Sequence, residues 1–406
     1  TGAYSNDEGI FSISKLKPGD YQVRVTYVGM DTVYETFSVG AGKTITTSFA
    51  LNVSSTQLEA VQIEDQKTGE IRKREIDVGT DVVTAREINL MPSLGAPDLA
   101  QYLQVLPGVV FTGDQGGQLY IRGGTPIQNM VLMDGMIVYS PFHSIGLFST
   151  FDADYIRSVD VYSAAFPAKY GGRVSSIMDI KTRNPNANGI RGKVNLNPVS
   201  AGVMIEGPFK PKEKGGGGSG FLLSARNSYL DRTSQSLYSY VDDTAGLPFS
   251  FTDIYGKLTF TDGINKFNLF GFYNQDNVDY EFPANLTWTQ GGGGMQFRLL
   301  PASSNVIFSG NFAYTSFQSG LAATSETFPR SSLIRGFNGG LRFTYIINGA
   351  DEFNYGVNLL GFRTDYQFTN SFGLITSQIF NNTEATLDFT YTKLFRTINN
   401  TKADSI

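Results

Sequence analysis

The sequence predicts a mainly β protein: a small β-sandwich, a mixed α+β unit, and part of a transmembrane β-barrel. Three observations carry this expectation. Residues 188–406 hold long runs that alternate apolar and polar side chains, as strands with one lipid-facing side require. The links between these runs are alternately short and long. The composition is rich in glycine (45) and aromatics (31 Phe, 21 Tyr), while charged residues are only 17% of the 406, below the quarter usual in soluble domains.

The same numbers exclude other classes. No stretch is apolar for long enough to form a transmembrane helix. A net charge of −5 argues against nucleic acid as a partner. Without cysteine there are no disulfides and no thiolate metal sites. The chain opens at Thr1-Gly2-Ala3-Tyr4 without Met or signal peptide, so we expect it to be an internal part of a longer precursor.

Residues 1–52 read as short strands separated by turn residues. Ile10–Ile13 is followed by Lys17-Pro18-Gly19-Asp20, then by the alternating run Tyr21–Tyr27 and by Thr32–Val39 and Thr44–Leu51. About fifty residues are marginal for a sandwich, so a first strand is expected upstream. Residues 53–80 are polar and aperiodic, a linker with one β-prone island, Leu58-Glu59-Ala60-Val61-Gln62-Ile63.

Residues 81–187 mix a helix with short strands. Asp98–Leu106 spaces its apolar residues helically and stops at Pro107-Gly108. Gln118–Arg122, Asn129–Met133, Ser158–Tyr162 and Ile177–Lys181 read as strands. From 188 onward about ten longer strands follow. Thr383, Ala385, Leu387, Phe389 and Tyr391 share one face, with Glu384, Thr386 and Asp388 on the other. Val306 to Tyr314 alternates likewise with Ser309, Asn311, Ala313 and Thr315. Short links are expected at 261–264, 300–305 and 347–351, and long ones near 230–250, 276–290, 319–332 and 369–378. The link Pro208–Ser219, with its Gly215–Gly218 run, is long where a short turn is due.

Four words appear in order across about seventy residues: Leu106-Pro107-Gly108-Val109, Ile121-Arg122-Gly123, Val131-Leu132-Met133-Asp134-Gly135 and Tyr170-Gly171. In this order they resemble the plug domain of TonB-dependent outer-membrane transporters. Asn6–Gly9 through Pro18–Tyr21 resembles a carboxypeptidase-regulatory-like domain. The stretch Ala165–Arg173, with Ser163-Ala164 where the family commonly has Arg-Gly, is similar to the branch that carries that N-terminal domain. The resemblance implies a receptor of the Gram-negative outer membrane, with plug and N-terminal domain on the periplasmic side and a barrel of about 22 strands. About half of that barrel would then lie beyond this chain.

It further implies that a bulky nutrient (siderophore, cobalamin, peptide or oligosaccharide) is imported by energised displacement of the plug. The plug lacks the wording of the glycan-importing branch, which lowers the last option. The TonB energising complex is the expected partner, a surface lipoprotein a further one. Leu58–Ile63 is the candidate TonB box, captured as an added strand; an edge strand of the preceding sandwich is the alternative. A scaffold or secretion-associated outer-membrane protein on the same fold is the competing function.

Catalysis and cofactors find no support. The sole His143 has no second His or Cys with which to hold zinc, no Gly-x-Ser-x-Gly accompanies it, and it reads as a plug-loop residue. Asp242-Asp243 and Asp276/Asp279 read as solvated loop charge, with calcium as the alternative. Gly215–Gly218 and Gly291–Gly294 lack a phosphate-loop lysine and read as barrel punctuation. Arg122, Arg157, Arg173, Asp134, Asp160 and Asp179 need partners if buried, from the barrel wall or within the plug. Tyr238, Tyr240, Phe249, Tyr280, Phe282 and Trp288 are candidates for ligand loops, with an aromatic girdle at the lipid interface as the alternative.

Overall fold

In the computed structural model the described residues are 79–393, except 94, 113–117, 144–145, 147, 164, 211–216, 238–245, 280–284, 302–303, 323–327 and 348–350. Parts of 1–51, chiefly 16–27 and 30–40, are described as well. The candidate box Leu58–Ile63 lies outside them. So do Tyr238, Tyr240, Asp242, Asp243, Tyr280 and Phe282.

Near the N-terminus β1 (Gly19–Val25) and β2 (Val33–Val39) form an antiparallel pair. Phe37 sets its ring edge-on to Phe49, which also contacts Phe11. The expected strands at Ile10–Ile13 and Thr44–Leu51 contribute these rings but no described strand.

The plug follows. β3 (Thr80–Thr84) leads into α1 (Ala85–Leu90), which begins with a capping box: the Thr84 hydroxyl accepts from Glu87 N and the Glu87 carboxylate accepts from Thr84 N. α2 (Leu99–Leu103) starts at Asp98, whose side chain caps Ala100 N at 2.8 Å. Gly108, at φ +76°, turns the chain into β4 (Val109–Thr112), paired with β5 (Gln118–Ile121). Next come β6 (Asn129–Met133), β7 (Met136–Ile137), β8 (Ile156–Tyr162) and β9 (Ser176–Thr182). They join β3 in a sheet of order β3-β8-β9-β6-β7, with β6 and β9 parallel.

The barrel wall is one antiparallel sheet of ten consecutive strands: β10 (Arg191–Leu196), β11 (Ser200–Lys210), β12 (Gly217–Ser228), β13 (Phe249–Asp262), β14 (Lys266–Asp279), β15 (Asn285–Leu299), β16 (Val306–Leu321), β17 (Arg330–Ile347), β18 (Asp351–Thr369) and β19 (Ile375–Thr392). A helix, α3 (Leu230–Leu237), lies in the link between β12 and β13. The expected count of ten is met. At about 3.3 Å per residue and a tilt near 40°, the longer strands overrun an apolar band of about 25 Å.

That overrun corrects three links. β14 runs to Asp279 and β15 starts at Asn285, so most of 276–290 is strand; β18 and β19 likewise take up half of 369–378. Pro208 and Gly217–Ser219 pair in β11 and β12, leaving 211–216 as the link. Strand that leaves the lipid is polar on both faces, and its composition imitates a loop. Gly291–Gly294 is also not a break but the middle of β15, paired on both sides.

The two faces of the wall follow the alternation. Leu387 and Phe389 are exposed on the outer face of β19, whereas Asp388 between them is 3% exposed. Outside, Phe297, Phe312 and Phe337 lie directly across from Gly310, Gly339 and Gly361 of the next strand. A Cβ at any of these glycines would strike the ring, so each aromatic fills the place a glycine leaves open. Inside, the plug core (Val83, Ile88, Leu99, Leu103, Met133, Phe142, Phe151, Met178) is continuous with Leu222, Tyr255, Phe270, Phe272 and Ala313 of the wall. Gly292 serves this fit, since a Cβ there would sit 3.0 Å from Met136 Sδ.

Candidate functional site

Two of the four sequence words are turns of one kind. Arg122 and Gly123 have φ +48° and +79°, and Asp134 and Gly135 have the same pair of values. Consecutive left-handed residues make a type I′ turn, which matches strand twist and favours Asp-Gly. Gly124 N donates to Ile121 O at 2.9 Å across the first turn, and Met133 pairs with Met136 across the second.

The Asp134-Gly135 turn is thrust against the wall, and five wall residues grip it. Lys257 Nζ reaches Asp134 Oδ2 at 3.0 Å and donates to Thr182 Oγ1 at 2.6 Å. Tyr255 OH lies 3.3 Å from the same carboxylate oxygen, which also bonds the Thr182 hydroxyl; Asp134 Oδ1 accepts from Thr182 N at 3.0 Å. Gln296 Nε2 donates to Asp134 O at 2.6 Å, and Asn311 and Asn338 donate to Gly135 O. Lys257 is 2% and Asp134 5% exposed, so this ion pair is desolvated and holds through its added hydrogen bonds.

A second cluster lies nearer the wall end that carries α3. His143 is wholly buried, with Nδ1 2.9 Å from Asp276 Oδ2 and Nε2 3.1 Å from Asp253 Oδ2. Its ring stacks on Phe251 at 3.8 Å. Arg226 donates to Asp253 Oδ2 through Nε (2.9 Å) and a terminal nitrogen (2.7 Å), and reaches Ser149 O at 2.5 Å. Asp98 Oδ2, 3.6 Å from Arg226, has no hydrogen-bond partner; Oδ1 accepts from Ala100 N and Ser149 N. Beside this, Gln290 accepts from Tyr139 N and Ser140 N and donates to Ser140 O, as a strand edge would.

Burial works against the His143 imidazolium, but Asp253 and Asp276 outweigh it and its pKa is pushed up to about 9. At neutral pH both ring nitrogens then donate. Burial also pushes the Asp98 carboxyl up, against the pull of Arg226. The solvated-loop expectation for Asp276 is therefore corrected: it is a lumen-facing strand residue, 4% exposed. His143 does sit in a plug loop, but as its buried anchor.

The remaining expected residues are dispersed. Tyr170 OH donates to Asp179 Oδ2 at 2.8 Å, and Lys181 pairs with Asp160 at 2.6 Å, both inside the plug. Gly171 approaches Thr386 of β19 so closely that a Cβ would meet its Oγ1 at 2.9 Å, and Gly172, at φ +78°, faces the Glu384 carboxylate of the same strand. Arg122 and Arg157 are exposed, and Arg173 donates to Gly172 O. Among the described residues, Asp134 alone of these six plug charges has its ion-pair partner on the wall. Trp288 lies within β15, paired between Asp276 and Ser319. The residues that sequence reasoning missed are Arg226, Asp253, Lys257 and Gln290. Their signal was a charged or amide side chain repeated on one face of an otherwise membrane-length strand.

An α/β plug packed against an antiparallel ten-stranded wall, polar on the plug side and apolar on the other, is the arrangement of part of a plugged outer-membrane barrel. Residues 72–176 match the TonB-dependent Receptor Plug Domain family, and residues 1–63 match the CarboxypepD_reg-like domain family. These two matches give the chain the plug of a TonB-dependent receptor behind a CarboxypepD_reg-like domain, and in that family the plug faces the periplasm within an outer-membrane β-barrel. No curated protein sequence matches this chain. Among solved structures it is similar to the siderophore receptor PirA from Acinetobacter baumannii, at 14% identity and TM-score 0.51, over 71% of this chain and 48% of that one. It is similar to the ferric citrate transporter FecA at 17% and 0.52, over 77% and 52%. For the ferric yersiniabactin uptake receptor FyuA from Yersinia pestis the values are 12% and 0.50, over 77% and 61%. The chain thus spans about half to three-fifths of these receptors, and at such identities the likeness is one of fold.

Proposed function

We propose that this chain is the plug and first barrel half of an energised importer that admits a bulky nutrient from outside when its plug is displaced. The observation that carries this is how the plug is held. Its most deeply buried charged contacts with the wall lie in two polar clusters, Asp134–Lys257 and His143–Asp253–Asp276 with Arg226, set beside an apolar core, while Lys193–Asp154 and Arg183–Glu206 add less buried ion pairs. Buried pairs of this kind are strong while both partners stay in place and fail once one is withdrawn, which suits a part that must be both tight and removable. The solved relatives named for ferric siderophore or ferric citrate uptake make iron chelates the first substrate class to try.

The partner in this reading is the TonB energising complex, engaging Leu58–Ile63. The regulatory-like match runs to residue 63 and so takes in that segment. The test uses cells whose only outer-membrane route is the full-length receptor. Accumulation of one nutrient from a panel of iron chelates, cobalamin, peptides and oligosaccharides should stop when a protonophore is added. Val61→Pro, which removes a backbone donor, should abolish uptake while surface abundance and ligand binding persist; Val61→Thr should be nearly silent. Uptake of no nutrient above the empty vector would put the scaffold reading ahead.

A further inference from the structure

The outer face of the wall carries a charge pair that plug retention does not use. Arg335 on β17 stands directly across from Arg363 on β18. Both are exposed, at 43% and 49%, and both bind one carboxylate: Asp365 accepts from an Arg335 terminal nitrogen at 2.7 Å and from Arg363 Nε at 2.9 Å. Like charges directly opposite on neighbouring strands oppose pairing, and one carboxylate offsets only one of the two. The row continues in polar residues, with Ser316 across from Arg335 and Asn381 across from Arg363.

Position along the strand shows what this row meets. On the same face of β17, Tyr345 and Phe337 are exposed aromatics, and Arg335 is the next outward residue beyond Phe337. From Tyr345 to Arg335 is about ten residues, or roughly 25 Å along the membrane normal at a 40° tilt. That is the height of a barrel's apolar band, so the pair sits at its far rim. The rim lies on the side of α3 and the 322–329 and 370–374 links, opposite the tight 263–265 turn, hence at the external leaflet. Charge is tolerated there, and most of the ten guanidinium N–H donors remain unspent.

We propose that Arg335 and Arg363 form a binding site on the outer wall for the phosphate of an outer-leaflet lipid headgroup. Two planar forks around one anion suit bidentate phosphate recognition, and the ligand would take over the charge that Asp365 leaves uncompensated. The inference rests on the outer-membrane orientation and not on transport, so failed uptake would leave it standing.

The test uses the full-length receptor purified in non-ionic detergent and incubated with bisphosphorylated lipid A, with dephosphorylated lipid A, or with inorganic phosphate. Wild type should retain the bisphosphorylated lipid through gel filtration, and Arg335→Gln/Arg363→Gln should retain about tenfold less while keeping its heat-modifiable mobility. Asp365→Asn, which leaves both arginines, should retain at least as much as wild type; it carries the test should the double variant fail to fold. Equal retention by wild type and the double variant, or of the dephosphorylated lipid, would overturn the site. Release of the lipid by millimolar inorganic phosphate would overturn its assignment to a lipid.

Discussion

The two buried clusters that hold the plug are built differently. At the Asp134 turn the plug supplies one anion and the wall one cation, Lys257. At His143 the plug supplies a cation between two wall anions, Asp253 and Asp276, and the wall cation Arg226 binds Asp253 and stands 3.6 Å from the plug's Asp98. The second contains a histidine whose pKa is pushed up to about 9. The difference teaches that one interface can be released by two routes, and that damage to each leaves a different uncompensated charge.

The largest effect is expected at the Asp134 turn. Lys257→Ala leaves the Asp134 carboxylate buried without its counter-ion and should cost about 3–5 kcal/mol of plug stability, read as a lower thermal transition of the full-length receptor. Asp134→Asn in the same chain should restore most of it, because asparagine tolerates the left-handed backbone there. Failure of that rescue would mean that the turn is held by packing rather than charge.

His143→Gln comes next. It keeps one amide donor but loses the charge between two carboxylates, so a loss of about 2–3 kcal/mol is expected, confined to hydrogen exchange of 140–151. Adding Asp276→Asn should recover part of the protection. A third comparison sets the two faces of one strand side by side. Gly292→Ala would place a methyl 2.6 Å from Tyr314 O and 3.0 Å from Met136 Sδ, costing about 1–3 kcal/mol. Gly293→Ala, on the outer face with its nearest neighbour at 3.4 Å, should stay within about 0.5 kcal/mol. Equal costs would contradict the assignment of faces.

Much of this was legible locally. The helix after Asp98 was legible although α2 ends at Leu103, short of the expected stop at Pro107-Gly108; Asp134-Gly135 suits its hairpin, and the alternation in β19 separates lipid-facing Leu387 and Phe389 from buried Asp388. Such features depend on residues a few positions apart. The His143 site does not: its two aspartates are 110 and 133 positions away, and only the strand register brings them to one depth. Link lengths failed for a different reason. Residues 276–279 and 285–290 are polar whether they loop or continue a strand past the lipid, so composition alone cannot separate the two.

The independence of the two clusters can be measured directly by hydrogen exchange on the full-length receptor, corrected for intrinsic rates, at pH values from 6 to 10. Because the His143 pKa is raised from 6.5 to about 9, its contribution is complete below about pH 6.5 and is lost as pH rises through 9. Protection of 140–151 should therefore fall through that window in wild type, while 132–137, around Asp134, stays protected. In His143→Gln the 140–151 loop should already be open at neutral pH, with no step. Simultaneous opening of both segments, or a step that survives in His143→Gln, would contradict the account.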